Sequence, residues 1–258
     1  MTHQNLGISE STFYRYVERD YFDDIKSIDL PRKVRYKKRI KQSEKPVRAF
    51  IKANRKGRTY ADFLYYVEKN KKASIVEMDS VIGTIGNSVL LTLLLRESNF
   101  MIAFKRSHND SHSVVKCFDY LKQKLGKADY INLFKILLGD RGTEFDHPDL
   151  IEAFPNSKLM SHVFYCDPRQ SQQKGKIEKN HEYIRLYVPQ GQPFDLLNQK
   201  QIDSMMNHIN SVRRESLGNK SPFECLTKNQ KRIIKKLGYT EVSPDKVTLS
   251  LELFTKGK

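Results

Sequence analysis

Ser74-Ile75-Val76-Glu77-Met78-Asp79 is a short run in which apolar side chains alternate and which ends on a carboxylate. Period-two alternation predicts a β-strand with one face in a core. Downstream, Gly83 and Gly86-Asn87 supply turn residues, and two more strand-like runs follow, Val89 to Leu95 and Phe100 to Phe104. Three such runs joined by tight turns predict an antiparallel meander. The period then changes. Val114, Val115, Phe118, Leu121 and Leu125 share one broad helical face, and Gly126 stops that helix. Phe134 to Asp140 reads as a buried strand that again ends in a carboxylate, and His162 to Cys166 as a fifth strand. A helix from about Ser171 to Tyr187 closes the series.

The order strand-strand-strand-helix-strand-short helix-strand-helix is that of the ribonuclease H-like α/β arrangement, a mixed sheet flanked by helices. It places such a core at residues 73–230, with 231–258 as a C-terminal tail. Toward the N-terminus, residues 1–25 predict a helix that starts at a Ser9 cap. Phe13, Tyr16 and Val17 recur at helical spacing there, while Ser11, Thr12 and Arg15 point elsewhere. That pattern fits the recognition half of a helix-turn-helix offering short polar and basic groups to a DNA groove; an ordinary amphipathic helix fits equally well. Residues 26–72 form a basic linker or arm with a helix resuming at Arg58. Between Pro31 and Arg58 a dense run of cations, Arg35, Lys37, Lys38 and Arg39 among them, faces only one acid, Glu44. A solvated linker is the ordinary meaning of such a run, and a phosphate-tracking arm the specific one.

Across 258 residues, 46 Lys and Arg against 30 Asp and Glu leave a net charge of +16, which favours polyanionic partners. Membrane spanning is excluded, because the longest apolar stretch, Val89 to Leu95, is far short of the ~20 residues a spanning helix needs. The start lacks the basic and apolar regions of a signal peptide. Three scattered cysteines, Cys117, Cys166 and Cys225, with no CxxC pair, point to a reducing cytoplasm and away from zinc.

Asp79 and Asp140 each follow an apolar strand. A charge at such a place is costly unless compensated; a divalent cation is one compensator, and a turn-capping role is the commoner alternative. Glu178 lies on a helix where Ile177, His181, Ile184 and Val188 make the buried stripe and Lys174, Glu178 and Arg185 the neighbouring one. Alone, Glu178 would form a surface pair with Lys174 worth only ~0.3–0.5 kcal/mol. Together the three acids suit a different task. Phosphodiester cleavage needs an activated oxygen and neutralised phosphorus charge, which two divalent cations ~3.5–4 Å apart supply. An oxygen-only ligand set suits Mg²⁺ or Mn²⁺.

Val76-Glu77-Met78-Asp79, Gly139-Asp140-Arg141-Gly142-Thr143-Glu144-Phe145 and Lys174-Gly175-Lys176-Ile177-Glu178-Lys179-Asn180-His181-Glu182-Tyr183-Ile184-Arg185 resemble the three signatures of the Asp-Asp-Glu transposases, and most nearly the insertion-sequence-30 family. Phe164-Tyr165-Cys166-Asp167-Pro168, Asn207-His208-Ile209-Asn210 and Lys220-Ser221-Pro222-Phe223-Glu224 fit the same family. The resemblance implies an integrase-type catalytic core whose metal-binding triad is Asp79, Asp140 and Glu178. It implies that Arg185, seven residues past Glu178, and Lys174 touch DNA. The implied reaction is nicking of double-stranded DNA at the inverted-repeat ends of a bacterial mobile element, then attack of the freed 3′-hydroxyl on target DNA. Two Mg²⁺ or Mn²⁺ ions, a homo-oligomer on DNA and a cytoplasmic, nucleoid-associated protein go with it. Four features depart from the family pattern. Arg169-Gln170-Ser171-Gln172-Gln173 stands where Ser-Pro-Trp is usual, and the spacing from Asp140 to Glu178 is slightly long. Arg141 stands where Asn is usual, and the first DNA-binding helices are missing ahead of Ser9; these last two matter most. They motivate the alternative of a DNA-binding remnant without chemistry.

Overall fold

The computed structural model describes residues 7–19, 21–25, 55–84, 86–154 and 161–254. The chain divides into two compact units, Met1–Glu44 and Lys45–Lys258. The first unit contains α1 (Glu10–Glu18), which begins at the predicted cap: Ser9 Oγ accepts the Thr12 amide at 3.2 Å. Val17 is buried, and Phe13 lies against Phe22 with ring centroids 5.5 Å apart. Arg35, Lys37, Lys38 and Arg39 lie outside the described residues.

In the second unit the elements run α2 (Tyr60–Lys69), β1 (Ile75–Ile82), β2 (Val89–Leu95), β3 (Phe100–Arg106), α3 (Ser111–Leu125), α4 (Lys127–Phe134), β4 (Ile136–Gly139), α5 (Pro148–Glu152), β5 (His162–Tyr165), α6 (Gly175–Tyr187), α7 (Gln199–Ser211), α8 (Pro222–Cys225) and α9 (Lys228–Lys236). The strands form one sheet in the order β3-β2-β1-β4-β5. β2 pairs antiparallel with both β1 and β3, while β4 pairs parallel with β1 and β5 parallel with β4. This is the ribonuclease H-like mixed five-stranded sheet flanked by helices.

Burial follows the chemistry of each strand. β2, Val-Leu-Leu-Thr-Leu-Leu-Leu, is buried along its whole length, as a strand paired on both sides and covered on both faces must be. On β4 the period of two sorts side chains between two cores. Leu137 joins the main core with Met78 and Phe118, while Ile136 and Leu138 join Phe63 of α2 and Phe164 of β5.

Three elements differ from the sequence reading. Phe134 ends α4 and does not open a strand, because Tyr130, Leu133 and Phe134 are spaced for a buried helical face. β1 continues past Asp79 to Ile82, since β2 keeps pairing with it as far as Val89. The segment read as a tail from residue 231 instead includes most of α9, whose Ile233 and Ile234 are buried in the main core. Further along, the Thr248 amide donates to His208 Nδ1 at 3.0 Å. α9 reads as solvated because it is mostly Lys, Arg, Asn and Gln around just two adjacent isoleucines.

Candidate active site

The parallel pairing of β1 with β4 aligns Ile75 with Ile136, Val76 with Leu137 and Glu77 with Leu138. Carried on by two residues, that register sets Asp79 beside Asp140. Both carboxylates therefore belong to the sheet face that carries Ile136 and Leu138. β4 ends at Gly139, so beyond it the edge of β1 is open and Asp140 keeps a side chain 45% exposed. Asp79, within β1, is only 18% exposed.

One side chain joins them. Lys174 Nζ lies 3.0 Å from Asp79 Oδ1 and 3.4 Å from Asp140 Oδ2. Lys174 itself is buried. Burial disfavours its charge, but the two carboxylates outweigh that and hold its pKa above the ordinary lysine value. Asp79 is pushed upward, chiefly by burial and further by the nearby Asp140 charge, against the lowering effect of Lys174. Backbone amides fix the two rotamers: Ser80 donates to Asp79 Oδ1 and Gly142 to Asp140 Oδ1, both at 2.8 Å. Gly142 is needed for this turn. A Cβ there would stand 2.3 Å from Glu144 Oε2 and 2.9 Å from Asp140 Oδ1.

Glu178 follows Lys174 by one helical turn on α6 and is exposed. Among the described residues no three His, Cys, Asp or Glu side chains come together as a metal set. The fold thus brings Asp79, Asp140 and Lys174 together, with Glu178 exposed one turn further along α6. Arg185 donates to the Ile82 carbonyl at 2.9 Å, tying α6 to the end of β1. Arg141 turns away from the carboxylate pair. Its Nε donates to the Cys166 carbonyl at 3.1 Å and its Nη2 lies 3.7 Å from Asp167 Oδ1. In the first unit, Ser11 and Arg15 are exposed on α1, and Thr12 Oγ1 sits 2.8 Å from the capping Ser9 Oγ.

Two supporting groups escaped the sequence reading. Glu77, two residues before Asp79 on the same strand face, is fully buried. It accepts the Ile177 amide at 2.9 Å and pairs with Arg96 Nε at 2.8 Å. Arg96 in turn donates to the Gln173 carbonyl at 2.9 Å. The start of α6, which carries Lys174 and Glu178, is thereby fastened to β1. Burial raises the Glu77 pKa, opposed by the Ile177 amide and Arg96. His181 is the second group. Its Nε2 is 2.8 Å from Thr92 Oγ1, and that hydroxyl donates to the Asp79 carbonyl at 3.1 Å. Nε2 must then carry the hydrogen. Burial, together with Lys174 and Arg185, lowers the His181 pKa to about 3, so its ring is neutral and its 3.9 Å approach to Asp79 is not an ion pair. The one available signal for Glu77 was its period-two spacing from Asp79, and the identity of its partners is not written locally.

The basic arm is partly spent inside the fold. Arg55 pairs with Asp146 and Arg58 with Asp149 and the fully buried Glu152. These guanidiniums, expected from sequence to track phosphate, instead neutralise acids beside β5.

No family model matches the chain. It is 32% identical over 162 residues to a putative integrase, ORF3, of Spiroplasma virus SpV1-R8A2 B, covering 62% of this chain and 48% of that protein. Against the transposase for insertion sequence element IS4351 of Bacteroides fragilis it is 28% identical, covering 61% of this chain and 46% of the relative. Against the transposase InsI for insertion sequence element IS30C of Escherichia coli K12 it is 29% identical, covering 58% and 37%. The matched stretches span less than half the length of each of these three relatives. Among solved structures, a simian T-cell lymphotropic virus intasome in complex with the PP2A regulatory subunit B56 gamma gives a TM-score of 0.46 at 14% identity, covering 58% of this chain and 53% of that one.

Proposed function

The chain is IS30-like, a relative of the insertion-sequence transposases, and from that premise we propose that it is the catalytic part of a DNA transposase. It would nick the inverted-repeat ends of its element and join the resulting 3′-hydroxyl to target DNA. The observation that carries this reading is the convergence of the Asp79 and Asp140 carboxylates on a single cationic point, Lys174 Nζ, at 3.0 and 3.4 Å.

Two carboxylates against one ammonium leave an excess negative charge at a partly buried place, and an oxygen-ligating divalent cation relieves such a charge. Asp79 and Asp140 therefore fit a Mg²⁺ or Mn²⁺ site, and Glu178, one turn from Lys174 on α6, would complete the ligand set. When bound, the metal would supply activation of the attacking oxygen and charge neutralisation at phosphorus. The protein's own residues do the positioning. Ser80 and Gly142 amides hold the two carboxylate rotamers, Glu77 and Arg96 hold the start of α6, and neutral His181 with Thr92 braces β1 from behind Asp79. Lys174, Arg185 and the exposed Ser11 and Arg15 of α1, with Thr12, Arg35, Lys37, Lys38 and Arg39, would contact DNA, in keeping with the net charge of +16. A homo-oligomer would bring two ends together.

The test is cleavage of an end-labelled duplex carrying candidate inverted-repeat ends, with Mg²⁺ or Mn²⁺ and with EDTA. A metal-dependent product ending in a 3′-hydroxyl, absent in Asp79→Asn and Asp140→Asn, is the expected result; equal activity of both variants would refute the reading. The lock formed by Lys174 and the exposed position of Glu178 favour one second reading, a remnant that binds ends without cutting them. It predicts retained duplex with no nick at any cation concentration.

A further inference from the structure

Lys174 occupies an unusual place for a cation. It is the N-cap residue of α6, where the positive end of the helix dipole disfavours an ammonium. Its side chain is only 5% exposed. Its Nζ has no backbone acceptor, so its compensation comes from Asp79 and Asp140. Lys122 shows the contrast. It is equally buried, yet its Nζ donates to the Leu150 carbonyl at 2.7 Å and to Asp119 at 3.3 Å. Lys122 is a built-in strut tied to a backbone carbonyl, whereas Lys174 is held by the two carboxylates alone.

We infer that the Lys174 ammonium is an intramolecular counter-ion that keeps Asp79 and Asp140 converged in the metal-free protein and is expelled when a divalent cation binds them. The inference rests on the reading of Asp79 and Asp140 as metal-binding residues. Its physical basis is exclusion: an ammonium within 3.0 and 3.4 Å of the two carboxylates and a doubly charged ion cannot share the same oxygens without strong repulsion. The divalent ion gains more from the carboxylate pair, and the flexible four-carbon stem of lysine lets the ammonium leave without moving the backbone. Cation affinity is then set by competition, and removing the competitor raises it. Expulsion also delivers a positive charge to the surface beside the exposed Asp140, where a DNA phosphate would receive it.

The experiment is Mn²⁺ binding, followed by calorimetry on the whole chain, for the wild type, Lys174→Met, Lys174→Arg and Asp79→Asn. Lys174→Met should bind Mn²⁺ roughly tenfold more tightly than the wild type, within the usual range for coupling between two sites. Lys174→Arg, which keeps the charge, should not gain affinity, and Asp79→Asn should lose binding. In EDTA, Lys174→Met should melt below the wild type, and saturating Mn²⁺ should close the gap. An independent measurement needs no variant: amine acetylation read by mass spectrometry should modify Lys174 several-fold faster in wild-type protein saturated with Mn²⁺ than in EDTA. Equal or weaker Mn²⁺ binding by Lys174→Met, or a labelling rate unmoved by Mn²⁺, would overturn the inference while binding lost in Asp79→Asn left the site itself standing. Undiminished binding in Asp79→Asn would bring down the site reading, and the inference with it.

Discussion

Two acid–base clusters in the second unit have opposite stoichiometry. On α4, one carboxylate, Asp129, is clasped by two cations from α9, Arg232 and Lys236; Arg232 Nη1 donates to Asp129 Oδ2 at 3.0 Å. At the end of the sheet, one cation, Lys174, lies between two carboxylates. The first arrangement satisfies its acid. Hydrogen bonds from Arg232 and Lys236 lower the Asp129 pKa to about 2. The second leaves a negative charge over, and Asp79 is pushed the other way. A surplus of cations around an acid fastens two helices, and a surplus of acids around a cation makes a place that asks for more positive charge.

The comparison can be broken hardest at the second cluster. Asp79→Asn or Asp140→Asn should lower metal-dependent strand cleavage by at least about 10³-fold, the scale on which removal of a central charged group acts. Neither should cost much stability, because neutralising one acid relieves the excess charge. Quantitative nicking assays alongside thermal melts separate the two effects, and a large fall in Tm would contradict the contrast.

Glu77→Gln comes next. It breaks a fully buried pair with Arg96 while leaving an acceptor for the Ile177 amide, so a loss of about 2–4 kcal/mol is expected. Urea denaturation measures it. The same variant should lower cleavage, because α6 is then fastened less firmly beside Asp79.

A smaller effect belongs to Asp129→Asn, which should reduce Tm at neutral pH and leave Mn²⁺ binding unchanged. The sign with pH is fixed. A carboxylate whose folded pKa is depressed stabilises the fold above its ordinary value near 4 and loses that contribution as pH falls through about 2. Acid titrations of wild type and variant should therefore differ at neutral pH and converge near pH 2.

Least affected should be Arg141→Asn. The guanidinium faces Cys166 and Asp167 and is more than a third exposed, so solvent screens it from the carboxylate pair. Mn²⁺ affinity should change by less than about threefold, in contrast with Lys174→Met. A large gain would mean that Arg141, and not Lys174, is the cation that guards the pair.

Much of the fold was legible because its signals are local. Strand β2 has the predicted bounds, and the Ser9 cap and the Gly126 stop stand where their chemistry puts them. α4 was misread because Phe134 adjoins an apolar strand, and α9 because its charge hides two isoleucines that become useful only against a core from elsewhere in the chain. The site was legible as a set of acids and not as an arrangement. Asp79 and Asp140 are visible after apolar runs, whereas the burial of Lys174, the outward position of Glu178 and the diversion of Arg55 and Arg58 to Asp146, Asp149 and Glu152 depend on partners remote in sequence.

Periodicity and turn residues determined which segments became strands and helices, because those preferences act between neighbours in the chain. The same alternation put Glu77 and Asp79 on one face of β1 before any partner was known. Only the parallel register of β1 with β4, and the seating of α6 across them, decided that Glu77 would be sealed by Arg96 and the Ile177 amide while Asp79 would share a buried ammonium with Asp140. The reason is physical. The charge state and reach of a carboxylate are set by whatever lies within a few ångströms of it, and those neighbours are chosen by packing over the whole unit.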